Sequence, residues 1–67
     1  MYEYKEHSIN GETYNIATYC VYTWVAITDN YDGPEDNTNI ATGGDEQEAL
    51  ENLYEKLKDQ QEAWKLK

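Results

Sequence analysis

Leu50, Leu53, Leu57 and Trp64 recur at helical spacing in the last third of the chain, with Ala49 and Tyr54 beside them. On the opposite side fall Glu48, Glu51, Glu55, Asp59 and Glu62. At ~100° per residue these acids lie within about 80° of one another. The pattern predicts a helix over about 46–64, dry on one side and strongly anionic on the other. Asp45 stands where an N-cap belongs, with Glu48 three positions on, the pattern of a capping box. Acids crowd the first turn, and Lys56, Lys58, Lys65 and Lys67 follow, as the helix dipole favours.

Upstream the period changes to two. Residues 2–9 read as a first strand, and Asn10 and Gly11 then supply a strong hairpin signal. Residues 12–28 are rich in β-branched and aromatic types. That run is too long for one ordinary strand. Its apolar phase also slips: Tyr14 and Ile16 are even, whereas Tyr19, Val21, Val25 and Ile27 are odd. A one-residue slip swaps the faces, so the pattern predicts a bulge, bend or break near 17–20, with strands over about 12–18 and 20–28. Gly33, Pro34 and the acids around them mark 29–38 as a loop. A short strand at 39–42 precedes Gly43 and Gly44, which reverse the chain into the helix.

These elements predict a single small α+β domain over 1–67. Its antiparallel sheet has three or four strands, order ββ(β)βα, with the C-terminal helix covering one face. The other face is left bare, with a row of Tyr and Thr upon it.

Charge narrows the partners. The formal net charge is −9, from 14 Asp and Glu against five lysines, with no arginine. Such a balance repels polyanions, which argues against direct contact with nucleic acid or an anionic membrane. A basic protein surface is the natural complement. Cys20 is the lone cysteine, so no disulfide staples the fold, and a reducing, cytoplasmic setting is expected. No signal peptide or membrane span is read from the chain. Seven tyrosines and two tryptophans, with no phenylalanine, must supply much of the core and offer a second interaction surface.

The candidate chemistry is sparse. His7 is the lone histidine, and Cys20 would be a nucleophile only if the two met. Residues 29–37 hold oxygen ligands of the kind calcium takes, but Pro34 stands where an EF-hand loop needs glycine. Whether that loop binds a divalent ion is left open by the sequence. Gly43 and Gly44 before a helix suggest a phosphate cradle, which Asp45, Glu46 and Glu48 would repel. No cofactor is expected, and a small metal- or cysteine-dependent enzyme ranks last among the readings.

The stretch Thr42-Gly43-Gly44-Asp45-Glu46-Gln47-Glu48-Ala49-Leu50-Glu51-Asn52-Leu53 resembles the end of the HicB-type antitoxin domain, where a strand leads through a Gly-Asp turn into a Glu-Ala-Leu helix. The resemblance, which reaches over residues 42–57, extends to the last strand and helix of double-stranded-RNA-binding domains. Both families imply a β-β-β-α layout. The RNA-binding family places a lysine cluster at the start of this helix. Here those positions hold Asp45, Glu46, Gln47 and Glu48, so the phosphate contacts are absent.

The reading that results is a non-enzymatic acidic interaction module. The expected role is that of a phage-type inhibitor or adaptor binding a basic site on a nucleic-acid-processing protein. The antitoxin-like alternative neutralises a small basic toxin. Glu48, Glu51, Glu55, Asp59 and Glu62 are the first candidates for the contact, and Tyr19, Tyr22 and Trp24 the second. Like-charged neighbours on a helix cost roughly 0.2–0.5 kcal/mol a pair, a cost that either salt and water make trivial or a basic partner relieves.

Overall fold

Asn10 and Gly11 take φ angles of 52° and 85°, both positive, as a type I′ hairpin turn requires. In the computed structural model, which describes residues 2–33, 35 and 37–65 (64 and 65 by backbone alone), this turn joins β1 (Lys5–Ile9) to β2 (Glu12–Val21). β3 (Thr23–Thr28) and β4 (Ile40–Gly43) follow, then α1 (Glu46–Lys65). The strands form one antiparallel sheet in the order β1-β2-β3-β4, and α1 packs on one face of it. The fold is therefore α+β with four strands, one more than the β-β-β-α layout of the resembled families. No helix among the described residues is long and apolar enough to cross a membrane.

The break expected at 17–20 is not there. β2 runs straight through it, paired residue for residue with β3 from Ile16↔Thr28 to Cys20↔Trp24. The chain reverses instead at Tyr22. The change of phase has another cause. Tyr14 and Ile16 face the helix, whereas Ala17, Val25 and Ile27 are buried on the other side beneath Tyr19, Tyr31 and Ile40. One strand thus serves two cores on opposite faces, and the face expected to be bare carries a small apolar layer of its own.

The main core joins Ile9, Ile16, Ala26 and Ala41 of the sheet to Ala49, Leu53 and Leu57 of α1. Leu53 and Leu57 are fully buried, and each such side chain contributes about 1.5–3 kcal/mol. Leu50 and Tyr54 pack at the margin. The Trp64 side chain, expected on this face, lies outside the described residues.

The helix also lies along the free edge of β4. Asn52 Nδ2 donates to Thr42 O and Lys56 Nζ donates to Ile40 O, each at 2.8 Å. Four residues of helix rise ~6 Å and two of strand ~7 Å, so the two donors match alternate carbonyls of the edge. Gly43 lets the helix begin this close. A Cβ there would stand 2.5 Å from Ala49 N and 2.8 Å from Glu48 C, both backbone atoms. The start is capped as the sequence indicates: Asp45 Oδ1 accepts from Glu48 N at 2.8 Å. Glu48 Oε1 reaches back one residue further than in the standard box, to Gly44 N at 2.8 Å.

At its far end α1 is pinned to the first hairpin by Gln61, which is buried. Its Nε2 donates to Ile9 O at 3.1 Å and to Tyr14 Oη at 2.9 Å, and its Oε1 accepts from Asn10 Nδ2 at 3.3 Å. His7 Nδ1 and the Tyr54 hydroxyl share a hydrogen bond nearby.

Two outcomes follow from this packing. Gly43→Ala should lower the melting temperature sharply, because backbone must move against backbone. Gly44→Ala should be nearly neutral, since its Cβ meets only Glu48 Oε1 at 3.7 Å. Equal effects in thermal unfolding would refute the close approach at Gly43. Gln61→Leu should cost ~1–3 kcal/mol by leaving the Ile9 carbonyl without its donor. Chemical denaturation measures this, and an unchanged midpoint would remove the pin.

Candidate functional site

Glu48, Glu51, Glu55, Asp59 and Glu62 are all exposed on α1. Their roles differ. Glu48 is committed to the cap, and Glu51 Oε1 accepts from Gln47 Nε2 at 3.1 Å. Glu55 and Asp59 line a shallow depression of about 340 Å³ with Ala41, Thr42, Asn52 and Lys56. The Lys56 ammonium, held on Ile40 O, sets one positive charge beside them. The stripe from Glu48 to Glu62 is on the order of 21 Å long.

The second set of candidates does not form one surface. Trp24 lies on the helix side of the sheet, half-buried against the main core. Tyr19 lies on the other side, stacked on Tyr2 with ring centroids 4.9 Å apart and planes 28° apart. Tyr4 meets Tyr2 edge-on at 6.4 Å. Tyr2 and Tyr4 were not among the expected contacts, although their spacing of two places both on one side of an extended chain. Burial pushes the Tyr19 phenol above its usual value, and the charges of Tyr2 and Tyr31 and a hydrogen bond with Tyr2 add to the shift.

Tyr22 stands apart from both. It occupies the β2–β3 reversal at φ 62°, fully exposed, with Val21 beside it 54% exposed. A bulky side chain in the left-handed region is an outlier, costing roughly 1–2 kcal/mol.

His7 and Cys20 both border a groove of about 460 Å³ on the helix side, with Lys5, Trp24, Glu46 and Leu50. Thr18 Oγ1 donates to Glu46 Oε2 at 2.7 Å across it. The two residues do not meet. His7 pairs with Tyr14 across the ladder, and Cys20 is six residues further along β2, on the order of 20 Å away. In the 29–37 loop, Asp29 Oδ2 accepts from Asn15 Nδ2 at 3.1 Å. Pro34 and Asp36 of that loop lie outside the described residues. Among the described residues no three His, Cys, Asp or Glu side chains are grouped to hold a metal ion.

Tyr22→Asn should raise stability by about 1 kcal/mol, because asparagine tolerates the left-handed region and an exposed ring has little packing to lose. A lower melting temperature for Tyr22→Asn would show that the ring supports the fold.

Comparison with protein-family models, with curated proteins and with solved structures finds no match.

Proposed function

We propose that the chain is a non-enzymatic interaction module that binds a basic protein surface. The partner class is a nucleic-acid-processing protein whose phosphate-binding site the acidic helix occupies, so the chain acts as an inhibitor or adaptor. One observation carries the reading. The carboxylates of α1 project to solvent along the face opposite Leu53 and Leu57, so the core makes no use of that face. A net charge of −9 adds long-range attraction to any basic surface.

The test is charge reversal at Glu51, Glu55 and Asp59 together, to lysine, leaving Glu48 to its cap. The triple variant should fold about as well as the parent, because it lowers the net negative charge while the 51/55 and 55/59 neighbours stay like-charged as lysines. As bait in cell extract it should lose the basic proteins that the parent retains, and parental binding should weaken as salt rises. Captured partners without a basic site, or binding that survives both reversal and high salt, would sink this reading.

A further inference from the structure

Among the described residues the large apolar side chains that stand exposed are Tyr2, Tyr4, Val21 and Tyr22, at 50%, 42%, 54% and 107%. None is on the helix. On the sheet face away from α1, Tyr2 meets Tyr4 edge-on and stacks on Tyr19, Val21 follows Tyr19 on the same side of β2, and Tyr22 stands just beyond it at the hairpin tip. We propose that this tyrosine face is the docking surface for an arginine-bearing segment of the basic partner. The inference rests on the reading above that the partner is basic, and adds where and by what chemistry it is gripped.

A tyrosine ring presents a negative face, which attracts a cation placed over it. Guanidinium is the better match because it stacks flat on a ring while its edge still donates to a carboxylate. The face offers both. Glu6 lies on it, opposite Asn15 in the ladder, and the Asn15 amide holds Asp29 alongside. The chain has no arginine of its own to fill the stack. Stacking surfaces also take nucleic-acid bases, but a net charge of −9 repels their phosphates. The left-handed Tyr22 is a separate observation. It holds an aromatic ring in solvent at a backbone cost that no intramolecular contact of that ring is seen to offset.

The experiment is an NMR titration of the isotopically labelled full chain at low salt with two synthetic peptides of equal length. One alternates arginine with glycine, the other lysine with glycine. The arginine peptide should shift the Tyr2, Tyr4, Tyr19, Val21 and Tyr22 signals and bind roughly fivefold tighter than the lysine peptide. In the double variant Tyr4→Ser, Tyr22→Asn both substitutions fall at exposed rings, and the preference for arginine should disappear. Equal binding of both peptides, with shifts confined to the α1 carboxylates, would overturn the tyrosine face and leave the basic-partner reading standing. No binding of either peptide would overturn both.

Discussion

The close approach of α1 to β4 at Gly43 is the constraint on which the rest of this fold depends. An edge strand and a helix cannot normally run side by side with backbones in contact, because side chains hold them apart. A hydrogen in place of a side chain at Gly43 removes that spacer. The helix then starts low enough for Asn52 and Lys56 to reach the outward carbonyls of Thr42 and Ile40. The same placement drops Ala49, Leu53 and Leu57 onto Ala26 and Ala41. On β3 and β4 the sheet gives this core only small residues, Ala26 and Ala41, and Ile9 and Ile16 fill it toward the first hairpin. The free edge of β4 is closed to further strand pairing as a by-product.

A domain this small has little to spare, and it secures the far end of the helix with polar contacts in place of more apolar area. Gln61 satisfies both its amide donors and its oxygen on the first hairpin. No buried side-chain nitrogen or oxygen among the described residues lacks a partner. A fully satisfied buried amide costs little and fixes register, because each of its bonds fails if the helix slides by a residue. Gly43 and Gln61 therefore define the two ends of the contact, and the leucines between them provide its strength.

The helix, its cap, its dry face and the first hairpin are all legible in the sequence, because each depends on local chemistry and periodicity. What is not legible depends on what lies across space. Asn52 and Lys56 read as ordinary solvent residues, since helical phase says which side they occupy but not that carbonyls wait there. Gln61 does leave a trace, as a polar residue on the same side of the helix as Leu57. The slip at 17–20 was a real signal with two readings, and periodicity alone could not choose between a bulged strand and a straight strand covered on both faces. The left-handed Tyr22 has no sequence signature, for tyrosine is among the last residues expected in that conformation. The acidic stripe was legible as a pattern, and the placing of Trp24 on one face, Tyr19 on the other and Tyr22 at the hairpin tip was not.

The two surfaces that the fold leaves to solvent differ in reach. The molecule measures 37 × 23 × 20 Å, so its two sides lie further apart than the ~8–10 Å over which physiological salt screens a charge. On the proposed reading, the carboxylates of α1 raise the encounter rate with a basic surface and act directly only on what touches the helix. Contacts between exposed, hydrated charges hold a partner weakly. The proposed tyrosine face has the opposite character: a short reach, but a contact that would exclude water and slow release. On that reading attraction and grip fall to opposite faces of one sheet-and-helix layer. Among the described residues the exposed large apolar side chains all stand away from the acidic helix, and that division is what the proposed reading needs for both tasks.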